Sequence, residues 1–204
     1  YPQGQDFRNV GVNYGMTLKG FAFGGETAMN GDGALATINR LTYSSSYRLK
    51  LMVLQRFYSY KYNSLYASAF SDCGRVQNES GVFVGAEWEP SAAWHVTVYS
   101  DWFYSPWKKY GVSNSSYGTD NMVQVMYEKG SQKISARYRL KVKDKDDVSG
   151  DGLAKDVQHR MRLTWAYGLS SPLSWKTEVD GCMTILQLSS VARLTLTSCR
   201  AVSI

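Results

Sequence analysis

The sequence predicts an all-β protein, an antiparallel up-and-down transmembrane β-barrel of about 8–10 strands, closed or incomplete. Three observations carry that expectation. The first is alternation. In "KISARYRLKVK", Lys133, Ser135, Arg137, Arg139, Lys141 and Lys143 alternate with Ile134, Ala136, Tyr138, Leu140 and Val142. A strand of this pattern has one apolar and one basic face. The second is the length of the segments. Many approach the ~10 residues that a tilted strand needs to cross a hydrocarbon layer, whereas strands of soluble proteins are commonly about 5–6 residues long. The third is the connections. Short turns at Ser44–Ser46, Pro90–Ala93, Lys129–Ser131 and Ser170–Pro172 alternate with long loops at 60–80, 105–118 and 144–156. Tight turns at one end and long loops at the other are the habit of outer-membrane barrels.

The elements follow in chain order. "GFAFGGETAM" leads through "NGDG" to "ALATINRLTY", and "SSS" separates that from "YRLKLMVLQRFYSY". After the first long loop, "GVFVGAEWE" turns at "PSAA" into "WHVTVYSDWFYS". "NMVQVMYE" turns at "KGSQ" into the Lys133–Lys143 strand. "VQHRMRLTWAYGL" turns at "SSP" into "LSWKTEVD". No capped amphipathic helix stands out.

The faces repeat. Trp94, Val96, Val98 and Trp102 oppose His95, Thr97, Tyr99 and Asp101. Met161, Leu163, Trp165 and Tyr167 oppose Arg160, Arg162, Thr164 and Ala166. Trp175 and Val179 oppose Lys176 and Glu178. Leu49, Leu51, Val53 and Phe57 oppose Arg48, Lys50 and Arg56, with Met52 and Leu54 interrupting the pattern. The polar faces mix signs: Glu26, Glu87, Asp101 and Glu178 stand against Arg40, Arg48, Lys50, Arg137, Arg139, Lys141, Arg160 and Arg162. The expectation is a charge network lining a wet lumen, where pairing offsets the cost of confining each charge. Trp94, Trp102, Trp107, Trp165 and Trp175 are expected as membrane-interface aromatics.

Composition agrees with a folded chain. It is 44% hydrophobic and 14% aromatic, and Tyr (15) and Trp (6) together outnumber Phe (7). The net charge of +6 comes without any block of like charges, so no basic arm is expected. Cys73, Cys182 and Cys199 allow one disulfide at most, and no metal-ligand spacing appears. The opening residues lack the apolar core of a signal peptide.

Local motifs read as structure. Asn78 to Gly81 is a turn that starts a strand, or a cap that organises a ligand-binding loop. Ser100 to Tyr110 is an aromatic and basic girdle, with Lys108 and Lys109 reaching for headgroups, or a stacking surface for sugars or bases. Ser105–Lys108 matches S-x-x-K without its companion motifs. His95 and His159 have no nucleophile motif beside them. Asp144 to Gly152 lacks the order of a calcium loop and reads as a solvated connection.

The segment from Ala69 to Asp120 resembles the barrel region of a Bacteroidetes outer-membrane family, whose members are often labelled helix-hairpin-helix domain-containing proteins. The carrying residues are Ala69-Phe70, Asn78 and Glu79 with Gly81 and Gly85, Tyr99 with Asp101 and Phe103, and Pro106-Trp107 with Tyr110. "GGETAM" and "RYRLK" stand in the same order, so the likeness extends over residues 7 to 180. In that family helix-hairpin-helix repeats precede the barrel; nothing like them occurs here, and no nucleic-acid role is carried over. After Trp175 the aromatic residues stop, and the chain ends Ser203-Ile204 where such barrels end on an aromatic. The expectation is a barrel region over 1–180 and an atypical tail over 181–204, truncated or frame-shifted.

The functional expectation is an integral protein of the bacterial outer membrane with a basic, charge-paired lumen. Its role is structural, or passage or docking of a small-molecule ligand of unknown identity. It is not expected to be an enzyme or to carry a cofactor or metal. Its expected partners are the lipid bilayer and the barrel assembly machinery. The alternative is a soluble or periplasmic all-β protein that binds glycan, which would bury the apolar face against a second sheet.

Overall fold

The computed structural model describes residues 8–45, 48–64, 66–146, 152–170, 173–187 and 192–203. They form one antiparallel sheet of eleven strands in chain order. The strands are β1 (Asn9–Leu18), β2 (Phe21–Asn30), β3 (Leu35–Ser45), β4 (Leu49–Tyr58), β5 (Glu79–Ser91), β6 (Trp94–Ser105), β7 (Ser116–Lys129), β8 (Gln132–Asp146), β9 (Leu153–Ser170), β10 (Leu173–Gln187) and β11 (Ala192–Ser203). Each strand pairs only with its chain neighbours, and β1 does not pair with β11, so the sheet is open.

The strand count exceeds the expected 8–10 for two reasons. Strand β1 escapes a search for charged alternation, because its inner positions are Asn9, Gly11, Asn13, Gly15 and Thr17. In addition, the boundary expected at 180/181 falls inside β10, and β11 lies wholly beyond it, with a register shift opposite Asp180/Cys182.

Restoring β1 makes the connections regular. The described links at 19–20, 92–93 and 130–131 lie at one end of the sheet. Those at 31–34, 59–78 and 106–115 lie at the other. Lys19 and Gly20 both have positive φ (45° and 85°), which a two-residue hairpin of the right twist requires. The loop expected at 144–156 is shorter than its composition suggests. Cross-strand pairing of Asp144 with Lys155 and of Asp146 with Leu153 continues the hairpin into it. A 2.8 Å ion pair between Asp144 and Lys155 supports that extension.

The two faces differ as period two dictates. On the outer face, register aligns Val10, Val12, Tyr14, Met16 and Leu18 of β1 with Met29, Thr27, Gly25, Phe23 and Phe21 of β2. The same face carries Leu41, Leu51, Val53, Val82, Val84, Val98, Val123, Tyr138, Met161, Leu163 and Val179, all exposed. The inner face carries the buried residues Leu54, Arg56, Tyr58, Glu79, Asp101, Phe103 and Asp120.

The connection 59–78 covers the inner face. Tyr58 donates to the Phe70 carbonyl (2.9 Å), the Phe70 ring meets Phe83 edge-on, and Asp72 reaches Lys141 and Lys143 on β8. Glu79 and β8 are three strand spacings apart, about 14 Å on a flat sheet. Asp72 spans that distance, its backbone amide on Glu79 and its carboxylate on Lys141 and Lys143.

Gly118 on β7 lies under the ring of Phe103, and a Cβ there would collide with it. Gly118→Val is expected to destabilise the sheet by about 1–3 kcal/mol through overpacking. Denaturant unfolding followed by circular dichroism measures this; an unchanged midpoint would show that Phe103 leaves β7 at no cost.

Candidate functional site

The most enclosed chemistry is at the loop-bearing end of the inner face. Arg56 on β4 has a fully buried side chain. Its Nε donates to Glu79 (2.5 Å), and its two terminal nitrogens donate to both oxygens of Asp101 on β6 (2.7 and 3.1 Å). The guanidinium also lies over the Phe70 ring at 4.9 Å. Glu79, itself fully buried, accepts from the backbone amides of Asp72 (3.0 Å) and Cys73 (3.4 Å). Gly81 leaves room for Arg56, since a Cβ there would lie 2.7 Å from the guanidinium carbon. One arginine therefore joins β4, β5 and β6 to the covering connection.

A second network adjoins it. Asp120 on β7 takes a bidentate bond from Arg139 and lies 3.6 Å from Lys141. Asp72 accepts from Lys141 (2.8 Å) and Lys143 (2.6 Å), and Lys143 also sits over Phe103. Burial pushes the Asp72 carboxyl up, but bonds from the two lysines outweigh burial and hold it below its ordinary value of 3.8. Asp101 and Asp120 face each other across β6 and β7. Each like charge is answered by its own arginine, Arg56 and Arg139.

Toward β10 the inner face is basic. Arg162 bonds Asp180 (2.6 and 2.9 Å) and lies 3.4 Å from Glu178, which also pairs with Lys176. Arg137 donates to Gln124 (2.7 Å) and Arg160 to Gln158 (3.2 Å). Two cavities open here. One of about 290 Å³ is lined by Arg137, Arg139, Arg160, Arg162 and Asp180. One of about 340 Å³ is lined by Arg139, Lys141, Lys143, Asp156, Gln158 and Arg160.

The expected network residues divide accordingly. Asp101, Arg139, Lys141, Arg162 and Glu178 enter ion pairs, and Lys50 and Glu87 form an open one at 3.9 Å. Glu26 and Arg40 lie on the inner face in register with Ile38 and Leu54, and have no ion pair among the described residues. Arg48 lies in the turn before β4, exposed and with φ 57°, rather than on a strand face. Trp94, Trp102, Trp165 and Trp175 point outward, each between 43% and 49% exposed. Trp107 stands off the sheet, stacked on Tyr60 at 5.0 Å. Asn78 grips its backbone from both sides (2.7 and 2.9 Å), tying the two large connections together. Pro106 precedes that clasp, and Tyr110 projects fully into solvent. His95 faces Glu89 at 3.4 Å, and His159 bonds the Tyr138 hydroxyl on the outer face. Among the described residues no group of acids, histidines and cysteines is placed to hold a metal.

Sequence reasoning missed the centre. Arg56 reads as one polar position among several, Glu79 as part of a turn, and Asp72 as loop. Asp120 follows a segment that reads as loop, although β7 already begins at Ser116. Comparison with protein-family models, with curated proteins and with solved structures gave no match.

Arg56→Ala leaves two buried carboxylates facing each other's field and is expected to destabilise by about 3–5 kcal/mol. The triple change Arg56→Met, Glu79→Gln, Asp101→Asn is expected to recover most of that loss; unfolding midpoints of the two variants decide it, and equal losses would mean that the charges are not the cause. Asp72 gives a pH dependence. Its folded-state value is depressed, so its stabilisation is complete above pH 3.8 and is lost as pH falls through the lower folded value. Amide protection factors at Asp72 and Cys73 are expected to fall as the pH drops below 3.8; protection that persists in acid would sink this account.

Proposed function

We propose that the chain is an integral outer-membrane β-barrel, its outer face in lipid and its inner face lining a narrow, charge-paired lumen, with a structural role or one in passing or docking a ligand. The observation that carries this reading is the outer face itself. On β6 it runs from Trp94 to Tyr104, about 34 Å along the strand. A tilt of about 40° brings that to about 26 Å, near the apolar band of a membrane barrel. Aromatic pairs mark its two ends: Trp94 packs on Tyr127 beside the short turns, and Tyr104 on Tyr117 beside the long connections. Phe21–Tyr43 and Trp165 add to the first end. A two-sheet glycan-binding sandwich would bury this face. Among the described residues every strand contact is within the one sheet, and Val10, Val12 and Met16 are more than 60% exposed.

In lipid both sheet edges need hydrogen-bond partners. Strict alternation makes β1 and β11 run the same way. Direct closure would therefore pair them in parallel, and antiparallel closure takes one more strand.

Folding into detergent tests the reading. A band that shifts between unheated and boiled gel samples, with β-type circular dichroism only when detergent is present, is the expected result. A monodisperse β protein in plain buffer overturns it and leaves the glycan-binding alternative.

A further inference from the structure

We infer that the inner face of β8 and β9 holds an oxyanion site built on Arg137 and Arg160, for a phosphate, sulfate or carboxylate group. Elsewhere on this face directly opposed charges are complementary, apart from Asp101 and Asp120: Lys50 opposes Glu87, Glu128 opposes Lys133, Asp120 opposes Lys141, Lys143 opposes Asp156, and Arg162 opposes Asp180. Between β8 and β9 the rule breaks twice in succession, with Arg137 opposite Arg162 and Arg139 opposite Arg160. Like charges directly opposite destabilise a sheet, and a guanidinium cannot shed its proton to escape.

The like-charge pair Asp101/Asp120 shows how this sheet compensates, with a counter-charge for each member. For the arginines compensation stops halfway. Asp120 answers Arg139, and Asp180 with Glu178 answers Arg162. Among the described residues Arg137 and Arg160 receive only the side-chain amide oxygens of Gln124 and Gln158. These two lie on the diagonal of the four, about 7–8 Å apart in a regular ladder, a span that two long side chains bridge onto one anion. Arg160 lines both cavities and Arg137 one of them, so the free donors face open volume rather than packed side chains. A planar fork of N–H donors is the usual cradle for such oxygens.

The inference names a ligand class for the lumen of the proposed barrel, but its geometry does not need the membrane. The test therefore uses the chain in whichever medium keeps it folded, neutral detergent or plain buffer, and that choice separately reports on the membrane reading. Inorganic phosphate is titrated against chloride at matched ionic strength, and the thermal unfolding midpoint is followed. In a second arm phosphatidylglycerol is added to neutral micelles. A saturable rise with phosphate, weakened about tenfold or more in Arg137→Gln and in Arg160→Gln and kept in Lys133→Gln, is expected. A rise seen only with phosphatidylglycerol and lost in the same variants supports the site with a lipid headgroup as its source. Without ligand, either arginine variant should unfold no earlier than the parent, because it relieves repulsion; a merely structural arginine would lower the midpoint. No saturable rise in either arm, or equal responses in parent and variants, overturns the site.

Discussion

The fold turns on one desolvated cation. Arg56 is wholly buried, and a buried charge is tolerable only if its surroundings are built around it. Here Glu79 and Asp101 supply the counter-charge, Phe70 covers the guanidinium, and Gly81 vacates the space it fills. Glu79 in turn holds the amides of Asp72 and Cys73, so the connection 59–78 is fastened by the same group that neutralises the arginine. From Asp72 the chain of charges continues to Lys141 and Lys143, then to Asp120 and Arg139. Five strands share one electrostatic framework. The net worth of such a network is small against an apolar replacement of the same shape.

The two ends of the sheet divide the work. At the turn end, two-residue links such as 19–20 and 130–131 join paired neighbours, and aromatic side chains point outward. At the other end the large connections fold inward and are sewn together by Asn78 and Trp107. The inner face is therefore closed by its own chain near Arg56 and stays open toward β9 and β10, where the arginines face cavity space. An occluded acidic-basic core next to an open basic surface gives the inner face a direction across the strands as well as along them.

Much of this was legible in the sequence because strand alternation is local. The Lys133–Lys143 stretch announced both faces of β8, and the rhythm of turns announced the up-and-down order. Strand β1 was hidden by the blandness of its inner residues, though Val10, Val12, Tyr14, Met16 and Leu18 carried the outward half of the signal. The Arg56 site was out of reach for a different reason. Its members lie 23 and 45 residues from Arg56, and which acid meets which base depends on register and on the path of a connection. Asp72 and Glu79 sit in segments whose composition says only that the chain turns. Periodicity finds faces; it does not find partners.

Because each strand pairs only with its chain neighbours, the sheet is a sequence of hairpins. Such an array can gain or lose a hairpin at an edge without altering any pairing elsewhere, much as solenoids vary in repeat number. The strands from β4 to β8 are exempt from that freedom, since Arg56 and Asp72 clamp them across non-adjacent positions. The width of the sheet is thus adjustable at its margins and invariant at its centre. Duplication of flanking hairpins would widen the sheet while leaving its innermost charges untouched.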